Sequence, residues 1–288
     1  MTVTRQAAEL ERVPRAVAIG TFDGVHRGHR AVIGEATRTG LRATVVTFDP
    51  HPRVTLGNQV ELLSSLDRRL ELLAGAGAED VLVVEFTPEL AALEPEVFAN
   101  DVLLAIGAEV IVCGVGFRFG RRRSGDIALL RGLGLDAREV PLVTGVSSTL
   151  IRQHAHAGEI EAAAAMLGRP IEVEGTVVSG DQRGGTLGFP TANLAVDPGL
   201  LVPGFGIYAG AVGDRRAAVS IGINPHYGGT ERRVEAFLLD WEGDLYGKRL
   251  VVELWRRLRD ERSFASEADL IAQIARDVEE TRAAARPA

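Results

Sequence analysis

The stretch AVAIGTFDGVHRGH, residues 16–29, predicts the architecture of the N-terminal half of this 288-residue chain. Its first residues form a short apolar run with the length of a buried strand, and a glycine-containing turn with two histidines follows. A strand that leads into a helix in this way lies at the carboxyl edge of a parallel sheet, where α/β proteins bind nucleotides. Free N–H groups at the helix start would face an incoming phosphate.

The same alternation continues through the first half of the chain. Buried strands are predicted at 43–48, 80–86 and 109–114, and helical spacing occurs at 28–39, 66–75 and 95–106. Such alternation predicts a parallel sheet with helices on both faces. Two further helices are predicted within 147–167, because Gly158 and Gly168 are suitable residues to end them.

The pattern changes at Arg169-Pro170. From Ile171 to about Leu258, short β-rich runs are separated by Gly, Pro and Asp, which predicts an antiparallel barrel or sandwich. Ser266 is predicted to cap a terminal helix. We therefore expect an α/β domain at residues 1–168 and a β domain with a terminal helix at residues 169–288.

Composition argues against several classes of protein. The net charge of −7 gives no cationic field for nucleic acid, and no apolar run approaches the roughly 18 residues that cross a bilayer. Residues 1–15 carry charge where a signal peptide would be apolar, so we expect a cytoplasmic protein. Cys113, the only cysteine, is interpreted as a buried strand residue. The sequence leaves the oligomeric state open.

His26 and His29 form the first candidate site. Two imidazoles at a helix start can both point at one phosphate and stabilise charge as pyrophosphate is displaced. The alternative is a turn followed by a capped helix without catalytic meaning. The segment VSSTLIR, residues 146–152, favours the first interpretation, since its hydroxyls and guanidinium could hold further phosphates.

The second candidate site lies in the β domain. The stretch GTLGFPTANL, residues 185–194, places hydroxyl and amide oxygens on a proline-stiffened turn suited to Mg²⁺ and phosphate. Glu235 follows in an otherwise apolar strand, where it could either point outward without a role or act as the base for an alcohol. Together the two elements indicate a site that phosphorylates a hydroxyl group.

These motifs resemble those of the bacterial bifunctional riboflavin kinase/FAD synthetase family. GTFDGVHRGH, TFDPHP, GFRFGRRRSGD, VSSTLIR, PTAN and the strand VEAF occur in the family's order, from about Ala16 to Thr281. The resemblance implies a Rossmann-like adenylyltransferase followed by a β-barrel riboflavin kinase. It also implies ATP-dependent, Mg²⁺-dependent conversion of riboflavin to FMN and of FMN to FAD.

The resemblance assigns roles in the first site. His26 and His29 would polarise the ATP phosphates, while Ser148, Thr149 and Arg152 would hold the leaving pyrophosphate. The residues expected along the nucleotide are Gly20, Phe22, Asp23 and Gly28, and those expected to line the flavin are Pro50 and Pro52.

The resemblance also assigns roles in the second site. Thr191 would bind Mg²⁺ with the ATP phosphates, Asn193 would support it, and Glu235 would take the proton of the ribityl 5′-hydroxyl. The glycines expected to shape the loop over the nucleotide are Gly180, Gly184 and Gly188.

Four positions depart from the family's usual residues: Gly116, Gly185, His226 and Phe237. They leave open a specialised paralogue with one working site or with a flavin analogue as substrate. A degenerate flavin- or nucleotide-binding protein is a second alternative, although it would not need Glu235. A nucleotidyltransferase of the phosphopantetheine or glycerol-phosphate type would share the histidines, but not the PTAN turn.

Overall fold

The computed structural model describes residues 1–179, 189–223 and 232–288. These residues form two compact units. The first consists of residues 1–60 and 65–146, and the second of residues 61–64 and 147–288. Gly180, Gly184, Gly185, Gly188 and His226 lie outside the described residues.

The first unit contains a six-stranded sheet in the order β1-β4-β3-β2-β5-β6, in which every pairing is parallel. Its strands are β1 (Thr2–Thr4), β2 (Arg15–Ile19), β3 (Arg42–Asp49), β4 (Asp80–Glu85), β5 (Ala108–Gly114) and β6 (Asp136–Val140). Val17 and Ile19 of β2 belong to one apolar cluster, and Ala16 and Ala18 to another. The sheet is therefore buried on both faces, which confirms the predicted architecture.

Six α-helices accompany this sheet. They are α1 (Arg27–Thr37), α2 (Pro52–Thr55), α3 (Leu66–Gly75), α4 (Pro88–Ala91), α5 (Pro95–Phe98) and α6 (Ile127–Gly132). The predicted helix at 95–106 is α5 followed by a π-helical segment, Ala99–Leu104. Cys113 is fully buried and its Sγ lies 3.7 Å from the carbonyl oxygen of Arg138, as expected for a strand residue without a reactive role.

A buried ion pair lies at the amino edge of the sheet. Arg15 at the start of β2 and Asp80 at the start of β4 are each 1% exposed and bonded to each other. Arg42 pairs with the same carboxylate from a more exposed position. Hydrogen bonds from the Arg42 and Arg15 guanidiniums hold the pKa of Asp80 well below its usual value.

Asp80→Asn is expected to destabilise the first unit by about 3–5 kcal/mol, because the guanidinium of Arg15 would remain buried without its counter-charge. Arg42→Ala removes the exposed partner and is expected to have a much smaller effect, because solvent screens that pair. Urea unfolding followed by circular dichroism measures both changes. Equal losses of stability in the two variants would contradict the conclusion that the buried Arg15 needs Asp80 as its counter-charge.

The second unit contains a closed barrel in the order β10-β11-β8-β7-β12-β9, in which all pairings are antiparallel. Its elements are α7 (Ser148–His156), α8 (Ile160–Leu167), β7 (Ile171–Val178), β8 (Ala192–Ala195), β9 (Gly206–Val212), β10 (Arg215–Ile223), β11 (Arg232–Leu238), β12 (Arg249–Arg259) and α9 (Glu267–Ala283). The barrel and the terminal helix confirm the predicted fold class. The Ser266 hydroxyl accepts the N–H of Asp269, as predicted for the helix cap.

Alternation along β11 determines which of its side chains are available for chemistry. Val234, Ala236 and Leu238 are buried in the barrel core, whereas Arg233 and Glu235 lie on the other face and are partly exposed. No helix in the described ranges is long and apolar enough to span a bilayer.

Candidate active sites

The loop between β2 and α1 holds both predicted histidines. His26 is the N-cap of α1, and its Nδ1 accepts the backbone N–H of His29 at 3.2 Å. Phe22 and Gly24 adopt φ values of +51° and +75°. Glycine accommodates such a conformation readily, but phenylalanine rarely does, so the surrounding loop must hold Phe22 in place.

The two imidazoles lie against each other. Their ring centroids are 3.6 Å apart with planes inclined by 14°, and the ring of Phe22 packs edge-on against His29 at 5.3 Å. A Cβ at Gly28 would approach the ring of His26 to 3.1 Å. The absence of a side chain at position 28 therefore lets the stacked pair form at the helix start.

The environment of His29 favours its neutral form. Burial, and secondarily the neighbouring His26, lowers the pKa of His29 well below its ordinary value. Its Nδ1 is shielded from solvent and has no hydrogen-bond partner within the described ranges. A neutral imidazole can still donate one N–H to a phosphate oxygen.

The free energy of unfolding is expected to fall as the pH drops below the ordinary imidazole pKa of 6.5. The pKa of His29 is depressed in the folded state, so the unfolded chain binds more protons there and stability declines with acidity. Chemical unfolding at about pH 7 and about pH 5.5 measures the slope. His29→Asn should reduce that slope, and an unchanged slope would contradict the depressed pKa.

The end of β3 and the turn after it carry further predicted residues of the first unit's candidate site. Asp49 is the last residue of the strand, the bond to Pro50 is cis, and Pro52 is the first residue of α2. The Nδ1 of His51 caps α2 by accepting the N–H of Arg53. Asp23, predicted along the nucleotide, is 2% exposed and contributes to the electrostatic environment of Arg69.

Ser148, Thr149 and Arg152 lie at the start of α7, in the second unit. Ser147 caps this helix by accepting the N–H of Leu150, and Nε of Arg152 donates to the carbonyl oxygen of Glu61 at 2.6 Å. The helix start predicted from VSSTLIR is therefore present. The contribution of these residues to pyrophosphate binding stays a prediction.

Strands β8 and β11 bring together the second candidate site. The Thr191 hydroxyl donates to Oε2 of Glu235 at 3.1 Å, and Asn193 pairs with Glu235 in the strand register. Thr191 and Glu235 are separated by 44 positions in the chain. Their contact gives a cluster of hydroxyl, amide and carboxylate oxygens on one face of the barrel.

Arg233 is a member of this cluster that the sequence interpretation missed. Its Nε lies 2.8 Å from Oε1 of Glu235 and 2.9 Å from Oδ1 of Asn193. Strand alternation could have found it, because residues two apart on a strand share a face. The guanidinium fixes the direction of the carboxylate that also accepts from Thr191.

Glu261 is a second carboxylate near this cluster. Burial raises the pKa of Glu261; Arg259 opposes this shift and Glu235 adds to it. A Cβ at Gly222 would overlap Oε1 of Glu261, so the glycine leaves room for this side chain over β10. No sequence pattern indicated Glu261.

Both halves of the chain match known protein families. The family model described as FAD synthetase matches residues 9–150, and that described as riboflavin kinase matches residues 167–285. A bifunctional riboflavin kinase/FMN adenylyltransferase of Listeria monocytogenes is 36% identical over 94% of this chain and 92% of that protein. The Escherichia coli protein of the same description is 35% identical over 96% of each chain.

The chain belongs to the bifunctional riboflavin kinase/FMN adenylyltransferase family. A solved structure described as a macrolide-efflux protein from Streptococcus pneumoniae has the same fold, with a TM-score of 0.85 and 29% identity over 97% of this chain and 98% of that chain. The two family models leave residues 151–166 between them. By packing, α7 and α8 belong with the second unit. The functional boundary at 168/169 stays a prediction.

Two of the positions that depart from the family's usual residues lie within the described ranges. Gly116 has φ +76°, where asparagine and aspartate are also tolerated, and its N–H donates to Oε1 of Glu139 at 3.0 Å. A Cβ at position 116 would contact nothing within 4 Å. The ring of Phe237 packs edge-on against that of Phe189 at 5.4 Å. With Phe237 two residues further along β11, the hydrogen bond between Thr191 and Glu235 is still present.

Proposed function

We infer that this chain phosphorylates riboflavin to FMN with ATP and then transfers the adenylyl group of a second ATP to FMN, giving FAD and pyrophosphate. Full-length similarity to bifunctional relatives supports both activities. The observation that carries the assignment of the kinase site is the hydrogen bond between Thr191 and Glu235, whose pairing the sequence motifs anticipate. The stacked imidazoles of His26 and His29 support the assignment of the adenylyltransferase site.

In the kinase reaction, Glu235 accepts the proton of the ribityl 5′-hydroxyl as its oxygen attacks the γ-phosphorus of ATP. The new O–P bond forms as the bond to the bridging β–γ oxygen breaks, and ADP leaves. Arg233 and Thr191 hold the two carboxylate oxygens, so the base is oriented before the substrate arrives. General-base assistance of this kind contributes about 10²–10⁴-fold to the rate.

The oxygens of this cluster are suited to Mg²⁺. Thr191, Asn193 and Glu235 offer hydroxyl, amide and carboxylate oxygens, the hard donors that Mg²⁺ prefers. Because the Thr191 hydroxyl is the donor in its hydrogen bond to Glu235, the lone pairs of its oxygen remain available to a cation. When bound, Mg²⁺ neutralises charge on the ATP phosphates. Thr191 is the residue that we assign to the metal.

In the adenylyl transfer, a phosphate oxygen of FMN attacks the α-phosphorus of ATP, and the bond to the bridging α–β oxygen breaks to release pyrophosphate. His26 and His29 would donate hydrogen bonds to the α-phosphate as charge develops there. The residues that would lie along the nucleotide are Gly20, Phe22, Asp23 and Gly28, and those along the flavin are Pro50 and Pro52. Ser148, Thr149 and Arg152 would hold the pyrophosphate.

A product analysis tests the assignment. The full chain is incubated with riboflavin, ATP and Mg²⁺, and separately with FMN, ATP and Mg²⁺, and the flavins are resolved by chromatography. FMN followed by FAD is expected in the first reaction, and FAD in the second. FMN without FAD in both would leave only the kinase, and FAD formed only from supplied FMN would leave only the adenylyltransferase.

A further inference from the structure

Arg69 of helix α3 carries a guanidinium that is buried in the first unit, with 3% exposure. Its Nη1 donates to the carbonyl oxygen of Thr21 at 3.1 Å, and its Nη2 lies 3.6 Å from Oδ1 of Asp49. Thr21 belongs to the loop between β2 and α1, whereas Asp49 is the last residue of β3. One side chain therefore connects the loop that carries the histidines to the turn that carries the predicted flavin-lining prolines.

The contact with Thr21 anchors the histidine loop. The Thr47 hydroxyl donates to the same carbonyl oxygen at 3.0 Å, so that oxygen accepts two hydrogen bonds. The next residue, Phe22, has φ +51° and packs edge-on against His29. A backbone conformation of this kind persists only where its surroundings hold it. The position of the His29 ring thus depends on the anchored Thr21 carbonyl.

The contact with Asp49 anchors the second segment. Asp49 directly precedes Pro50, and its carboxylate is partly exposed. Its other ion-pair partner, Arg5, is 57% exposed and 3.5 Å away, so solvent screens that pair. Arg69 is the buried partner, and it fixes the end of β3 relative to the histidine loop.

Stability alone does not explain a buried arginine at this place. The Nε of Arg69 is buried and finds no acceptor among the described residues. Burial lowers the pKa of Arg69, and the charges of Asp49 and Asp23 act in the opposite direction. A desolvated cation with an unsatisfied donor destabilises a fold, so its presence calls for another explanation.

We propose that Arg69 is a positioning residue for adenylyl transfer, which holds the histidine loop and the turn after β3 at the separation that lets the FMN phosphate reach the α-phosphorus of ATP. This inference rests on the proposed adenylyltransferase function. Misplacing reacting groups by about 1 Å can cost about 10²-fold in rate. Loss of the guanidinium removes the contact that joins the two segments, so binding of both substrates and the chemical step should suffer together.

The test compares Arg69→Gln, Arg69→Lys and Arg15→Lys in the full chain. Arg69→Gln is expected to raise the KM for FMN and for ATP and to lower kcat/KM for FAD formation about 10²-fold. Arg69→Lys should recover part of this loss, since an ammonium keeps the charge but lacks the fork that reaches both oxygens. Arg15 is equally buried at the opposite edge of the sheet, and its variant should keep wild-type KM values. Riboflavin kinase activity in each variant is expected to be unchanged.

Thermal unfolding of each variant separates positioning from folding. Wild-type KM values in Arg69→Gln, with kcat lowered only in proportion to the loss of folded protein, would overturn the inference. If Arg69→Gln does not fold, Arg69→Lys decides: raised KM values support the inference and wild-type values overturn it. A wild-type chain that makes no FAD from FMN would overturn the proposed function and this inference together, whereas unchanged variants of an active enzyme overturn the inference alone.

Discussion

Glu235→Gln is expected to lower FMN formation from riboflavin by about 10²–10⁴-fold and to leave FAD formation from supplied FMN unchanged. The amide has nearly the shape of the carboxylate but cannot take the proton of the 5′-hydroxyl. It also loses the charge that attracts Arg233, so the orientation of the group weakens as well. The measurement is the initial rate of each reaction with the same protein preparation.

Glu174→Gln is the matched control for this variant. Glu174 lies on β7 of the same barrel and pairs with Arg249, as Glu235 pairs with Arg233, but it has no assigned role in either reaction. Its substitution should leave both reactions at wild-type rates. Equal loss of FMN formation in both variants would show that Glu235 acts through barrel stability and would remove it as the base.

His29→Asn is expected to have the opposite pattern. FAD formation should fall by about 10²–10³-fold, because one donor to the developing phosphate charge is lost, while FMN formation stays at the wild-type rate. His26→Asn should give a similar loss. Asparagine is a preferred N-cap residue, so this second variant keeps the start of α1 and tests the imidazole itself.

His154→Asn supplies the control for the histidine variants. His154 lies near the end of α7, where it pairs with Glu159, and it has no assigned role in either reaction. Its substitution should change neither rate. A histidine variant that loses FMN and FAD formation to the same degree, while remaining folded, would contradict the assignment of His26 and His29 to adenylyl transfer alone.

The sequence predicted those elements whose burial leaves a simple pattern. β2 and β5 are buried on both faces and read as continuous apolar runs. β6 was missed because it is an edge strand with the polar sequence DAREV, in which Ala137 alone is fully buried. β1 was missed because three residues give no periodicity. Edge strands have one neighbour, so their composition is less constrained.

The candidate sites were predictable to different degrees, because only some of their contacts are between residues close in sequence. His26 and His29 are three residues apart at a helix start, so local geometry brings their rings together. Thr191 and Glu235 meet only through the β8–β11 pairing, and the motifs rather than the spacing predicted their association. Arg69 is 48 positions from Thr21, and no local pattern indicates a contact that the folded sheet alone creates.

Positional labelling of ATP tests most directly whether the two reactions proceed by attack on different phosphorus atoms of ATP. With riboflavin and ATP that carries radioactive phosphorus in the γ position, the label should enter FMN and persist in FAD. With FMN and ATP labelled in the α position, it should enter FAD, whereas γ-label should then leave as pyrophosphate. Absence of γ-label from FMN, or release of α-label as free AMP without FAD, would contradict the account.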